Sequence, residues 1–195
     1  MNQITTMAPR GIIRQLRPSD LPKFRDHLLR LDRESRHDRF NGGISTSFVA
    51  DYAERSFRDG ATVIGYVEDG QVLGAAELHE LPELAEPTAQ IAFSVERHRQ
   101  HQGIGGRLFA RLLLHALGLG YTRLEVSTHA DNASMKALAR RFNAKLSFAQ
   151  GETMGVIELD PAVTLEHPAF EAIGDMLPGP LTLTIVGDGI ARAAA

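Results

Sequence analysis

Cysteine is absent from the 195 residues. That excludes disulfides, thiolate metal sites and a cysteine nucleophile. The composition fits the cytosol, and a cytoplasmic location is the expectation. No apolar run approaches the ~20 residues of a membrane span, so no membrane partner is expected. Met1 to Pro9 lacks a basic region followed by a long apolar stretch. It therefore reads as part of a flexible lead-in over residues 1–10 rather than a secretory signal. A strong charge of one sign is missing too: the formal net charge is −3, which argues against general affinity for nucleic acid. Neither an internal repeat nor a low-complexity linker divides the chain. What remains is 43% hydrophobic and 23% charged, ordinary for a globular protein and enough for one domain with a substantial core.

Chemistry concentrates where Gln90 to Val95, an apolar strand, runs through Glu96-Arg97-His98-Arg99-Gln100-His101-Gln102 into Gly103-Ile104-Gly105-Gly106-Arg107-Leu108 and an amphipathic helix. Glycines at such a junction let the backbone approach a ligand closely. A helix N-terminus adds unpaired N–H groups and a partial positive charge, which suit phosphate oxygens. The segment predicts a pocket for a phosphate-bearing cofactor. A Walker loop is excluded because no Lys-Ser or Lys-Thr follows the glycines. A dinucleotide fingerprint fails at Leu108, where its third glycine would stand. The remaining pattern is Gln/Arg-x-x-Gly-x-Gly/Ala, met by Gln100, Gly103 and Gly105.

Periodicity and turn residues give the context. Gly11 to Arg17 reads as a strand, Pro18-Ser19-Asp20 as a break and cap, and Leu21 to Leu31 as a helix. Asp32 to Gly43 reads as a short helix or turn followed by a loop, and Ser47 to Phe57 as a helix stopped by Asp59-Gly60. Ala61 to Val67 and Val72 to His79 form a hairpin about Asp69-Gly70. Gln90 to Val95 is a strand, Gly103 to Leu117 a helix, Arg123 to Thr128 a strand. Asp131 or Asn132 caps a helix reaching about Phe142, and Lys145 to Phe148 and Met154 to Leu159 pair around Gly151. Strands alternating with helices in one part and hairpins in another predict a mixed sheet. Beyond Asp160, Leu165 to Met176 suggests a helix and Leu181 to Val186 a strand.

The glycine pattern is similar to the acetyl-CoA signature of the GNAT N-acetyltransferases, and the order β-α-α-β-β-β-α-β-α-β-β from Gly11 to about Leu159 resembles that superfamily element for element. The resemblance implies an α/β (α+β) GNAT fold. Its mixed, mostly antiparallel central sheet would have about seven strands flanked by helices and splayed between strands 4 and 5. Residues 11–160 would form the domain, and 161–195 an extension that packs on it, extends its sheet or exchanges within a homodimer. The implied cofactor is acetyl-CoA. The implied cofactor contacts are the splayed strand at Phe93, Ser94 and Val95, and the turn at Arg99, Gln100, His101, Gln102, Gly103, Ile104, Gly105 and Gly106. Arg107, Asn132 and Met135 complete the set. Ile13 to Asp20, Leu31 to Phe40 and Met135 to Arg141 are further similar to the bacterial protein-lysine acetyltransferase subgroup. Two positions depart from the family pattern: Gln90 stands where that subgroup has a glutamate base, and Ala139 where many members have a tyrosine acid.

The activity so implied is attack of an amine, from a protein lysine or a small molecule, on a thioester. A lysine amine has a pKa near ~10.4 and must lose a proton first. Backbone N–H groups near Phe93 to Val95 are the candidate donors to the carbonyl oxygen. With no cysteine, direct transfer in a ternary complex is expected. Glu77 and His79, two apart and so on one strand face, are candidate bases, as is Glu96; Ser127 could donate to the leaving sulfur. A solvent-facing Glu77/His79 pair is the plain alternative. His98-x-x-His101 has ligand-like spacing but no supporting carboxylate, so no metal is expected. A non-catalytic acyl-CoA-binding module and a partner-binding domain remain the competing readings.

Overall fold

The computed structural model describes residues 10–58, 60–149 and 151–160. The lead-in to residue 9, Asp59, and the extension 161–195, with the expected helix at 165–176 and strand at 181–186, lie outside the described residues. Seven strands form one sheet: β1 (Ile12–Gln15), β2 (Ala61–Glu68), β3 (Gln71–Glu80), β4 (Thr88–Val95), β5 (Arg123–His129), β6 (Lys145–Ala149) and β7 (Glu152–Glu158). Their spatial order is β1-β2-β3-β4-β5-β7-β6. Every neighbouring pair is antiparallel except β4 and β5, which are parallel. Five α-helices cover the sheet: α1 (Leu21–Arg30), α2 (Arg33–Phe40), α3 (Thr46–Arg55), α4 (Ile104–Gly118) and α5 (Ala133–Arg141).

Alternation along the strands sorts side chains onto two faces. On β3, Ala76 and Leu78 join the core beneath α4 and α5, whereas Ala75 joins a second core with Phe24 and Leu28 of α1 and Val49 and Ala53 of α3. Phe93 of β4 stacks on Phe109 of α4 at 4.7 Å, and Phe109 stacks on Phe142, just past α5, at 4.3 Å. This aromatic column joins one strand to two helices, each pair adding to the burial of large apolar surfaces.

Asp32 to Gly43, expected as a short helix or turn, contains the full helix α2. No residue of it is buried, so apolar periodicity cannot report it. It is started instead by Asp32, whose carboxylate accepts from the Glu34 and Ser35 N–H groups, and stopped by Asn41 in the left-handed conformation. Asn132 rather than Asp131 caps α5, accepting from the Met135 N–H at 2.8 Å.

Candidate active site

The parallel pairing of β4 with β5 covers only Thr88↔Arg123, Ala89↔Leu124 and Gln90↔Glu125. Beyond it β4 stays registered to β3 as far as Val95↔Gly74, while β5 turns to β7. The strands diverge, and a cleft of about 430 Å³ opens between them. Ala92 to Val95 form one wall and Val126, Ser127 and Thr128 the other. From Ile91 onward the β5-facing edge of β4 has no register partner in β5. Apart from the Val95 carbonyl, which accepts from Gln100, its N–H and C=O groups are therefore available to an extended, amide-bearing ligand.

At the head of the cleft the chain turns into α4. Gly103 is the N-cap, in the left-handed region at φ 78°, which a side chain would strain. No side chain caps this helix, so the first N–H groups of α4 and its positive dipole end point to the cleft, where Ile104 and Gly105 line it. His101 is also left-handed, at φ 59°. Gln100 bonds inward, its amide donating to the Val95 carbonyl at 2.9 Å and to Ser35 Oγ at 3.1 Å. It thereby holds the turn closed against β4 and α2. The cleft fits a phosphate-bearing thioester such as acetyl-CoA in its uncapped helix end, its open strand edge and its apolar lining by Met135 and Leu138.

Most of the residues implied by the glycine signature meet here: Phe93, Ser94, Val95, Arg99, Gln100, His101, Gly103, Ile104, Gly105, Asn132 and Met135 all line the cleft. Gln102, Gly106 and Arg107 do not. Gln102 bonds the His98 carbonyl, a Cβ on Gly106 would meet Arg141, and Arg107 lies over the Tyr66 ring with Nε and Nη1 buried and unpaired among the described residues. The arginines of the turn are already engaged: Arg97 bonds Glu34 at 2.7 Å and Arg99 bonds Glu68 at 2.8 Å. Backbone amides at the start of α4 are thus the donors with no such carboxylate partner.

The proposed acid–base residues separate. Glu77 is 0% exposed and lies behind the cleft wall, against Arg39. It accepts from Arg39 at 2.6 Å, from the Tyr52 hydroxyl at 2.7 Å and from Ser56 Oγ at 3.2 Å. His79 approaches it at 3.4 Å and the Tyr52 hydroxyl at 3.2 Å. Burial pushes the Glu77 carboxyl up, but the Arg39 charge and the His79 and Arg39 bonds outweigh it and bring the pKa to about 2. Arg39 itself lines the cleft. Glu96 is buried below the turn, paired with His27 and Arg30; burial raises its pKa and those partners lower it further, for a net fall. Ser127 lines the cleft and donates to Glu152 at 2.8 Å. Gln90 pairs with His79 and Glu125 outside the cleft, and Ala139 is packed in the core.

Two groups absent from the sequence-based set stand out. Asp38 of α2 lines the cleft, and its carboxylate has no hydrogen bond or ion pair among the described residues. Burial first, then Glu34, raise its carboxyl above the usual range. Nothing in the charged run around it marks it out. His27 of α1 is fully buried and bonds Ser94, a cleft residue. Its spacing from Phe24 and Leu31, three and four residues away along a helix, was the available sign that it faces inward.

The Acetyltransferase (GNAT) family model matches residues 26–144, more than half of the chain. No curated protein sequence matches it. Among solved structures, the GNAT domain of PAT from S. lividans is 16% identical, with a TM-score of 0.68 over 76% of this chain and 90% of that one. The ribosomal-protein-alanine N-acetyltransferase from Brucella melitensis is 19% identical, with a TM-score of 0.60 over 76% and 99%. A Salmonella typhimurium protein solved with its cofactor acetyl-CoA is 17% identical, with a TM-score of 0.60 over 77% and 95%.

Proposed function

Because the chain belongs to the GNAT acetyltransferase family, we propose that it is an N-acetyltransferase. It would move the acetyl group of acetyl-CoA to a primary amine, of a protein lysine or a small molecule, by direct transfer in a ternary complex. The observation that carries this reading is the divergence of β4 from β5 after Gln90↔Glu125, with the uncapped start of α4 at its head. When bound there, acetyl-CoA supplies a thioester carbonyl open to nucleophilic attack. The chain's part is to seat the phosphates on the α4 amides, to run the amide-bearing arm along β4 and to offer strand N–H groups near Phe93 to Val95 to the carbonyl oxygen. Asp38, whose carboxylate is unpaired among the described residues, stands at the cleft wall and draws a cationic amine in. Arg39 is held on the wall by Glu77, and in this reading Glu77 and His79 support the site through it rather than by touching the acceptor.

Titration calorimetry with acetyl-CoA, followed by CoA-thiol release across a panel of lysine peptides and small amines, tests the reading. Binding together with amine-dependent release is the expected result. Tight binding with no release for any amine would leave an acyl-CoA-binding module of the same fold, and no binding of any CoA species would remove the cleft from the account.

A further inference from the structure

Ser94, His27 and Glu96 come from a strand wall, the helix α1 and the turn, 67 and 69 residues apart in the chain. They form one line of hydrogen bonds leading away from the cleft. Glu96 Oε1 lies 3.1 Å from His27 Nδ1, and His27 Nε2 lies 2.9 Å from Ser94 Oγ. Arg30 Nε donates to the same Glu96 oxygen at 3.0 Å. The partners determine the tautomer. Glu96 accepts only, so Nδ1 carries the hydrogen; Nε2 is then an acceptor and the Ser94 hydroxyl donates to it. That leaves the lone pairs of the Ser94 oxygen to accept, and Ser94 lines the cleft. His27 is 0% exposed, and burial, the largest influence, depresses its pKa while Glu96 opposes this and Arg30 adds to it. The neutral ring is thereby favoured over the imidazolium. The charged and titratable groups around it are Glu96 beyond β4, Arg30 on its own helix and Glu77 on β3. His98 stands 3.8 Å from Glu96.

We propose that Ser94 and His27, with Glu96 as the positioning residue, form a relay that takes the proton from the acceptor amine as the amide bond forms. The inference rests on the transferase reading above. The amine sheds one proton to water on reaching the cleft. As its lone pair forms the N–C bond, the second proton becomes acidic and passes to Ser94 Oγ, while the hydroxyl proton passes to His27 Nε2. The C–S bond breaks, and the thiolate receives the proton back from the imidazolium through Ser94. Glu96 stabilises the imidazolium while it exists. A histidine that burial makes reluctant to stay charged returns that proton readily.

Ser94→Ala tests this. Turnover should fall about 10²-fold or more, the scale of general acid–base catalysis, with acetyl-CoA affinity unchanged. With an acceptor amine of low pKa, neutral across the range, the acid limb that His27 imposes on the wild-type pH–rate profile should vanish, and Ser94→Thr, which keeps a hydroxyl, should restore both. Asp38→Asn should keep the acid limb. Unchanged turnover and pH profile in Ser94→Ala, or an acid limb lost in Asp38→Asn alone, would overturn the relay while leaving the transferase reading intact. A readout independent of turnover is nitrogen-15 NMR of labelled histidine in the full chain. His27 should be the neutral Nδ1–H tautomer at pH 7, with Nε2 shifting on removal of the Ser94 hydroxyl. An imidazolium or an Nε2–H tautomer would refute the relay even if the chain transferred acetyl to no amine tested.

Discussion

Glu77 illustrates how one side chain changes meaning between sequence and structure. Alternation along β3 correctly places it on the same face as His79, yet its partner Arg39 comes from 38 residues away, and no local pattern announces that pairing. With Arg39, Tyr52, Ser56 and His79 around it, the carboxylate is held ionised in the interior. Glu77→Gln strands the Arg39 charge, and such uncompensated buried charges cost roughly 3–5 kcal/mol. Chemical denaturation should show a loss of that order; a loss under about 1 kcal/mol would mean that Arg39 finds water or another partner. The sign with pH follows from the pKa of about 2. A carboxylate depressed from its usual value stabilises the fold above about pH 4.5 and loses that contribution as pH falls from there towards 2. His27, lowered by burial, acts in the same direction at a higher pH, because the unfolded chain takes up its proton first below about 6.5. Melting temperature should therefore fall in both windows, and Glu77→Gln should make the lower fall shallower while leaving the upper one unchanged.

Among the elements, α4 carries the clearest link from sequence to site. Gln100, Gly103 and Gly105 signalled a strand-to-helix turn made for phosphate, and the turn indeed places an uncapped helix start at the end of the cleft. The hairpins at Asp69-Gly70 and Gly151 were legible for the same reason, since both have glycine at positive φ. Helix α2 was legible only as a short helix or turn, because its stability comes from the Asp32 cap rather than an apolar stripe, and with no stripe to mark a face Asp38 and Arg39 went unnoticed. Gly105→Glu sets a carboxylate in the first turn of α4, where the cleft needs an anion site. Affinity for acetyl-CoA should fall at least about 100-fold, or 2.7 kcal/mol. Calorimetry showing unchanged affinity would move the phosphates elsewhere.

At the scale of the molecule, two cores share one sheet, one under α4 and α5 and one under α1 and α3. β3 contributes to both, so a single cooperative unfolding transition is expected. A ligand bound only by the folded state adds about 2.7 kcal/mol at a hundred times its dissociation constant. For a chain of this size that is a rise in melting temperature of roughly 5–10 °C. Acetyl-CoA should produce it, and at equal concentration desulfo- or dephospho-forms should produce less, with the logarithm of their affinity. A melting point indifferent to acetyl-CoA would contradict the cleft assignment.

The brief contact between β4 and β5 also has a mechanical meaning. β1 to β4 are one antiparallel plate, and β5, β7 and β6 another. Along the sheet they are fastened by three registered residue pairs and by the bonds from Thr122 and Arg123 to the Pro87 carbonyl. The seam is strong at one end and open at the other, like a zip closed for part of its length. A molecule laid along the open part would act as further teeth, so that loading the substrate stiffens the joint between the plates.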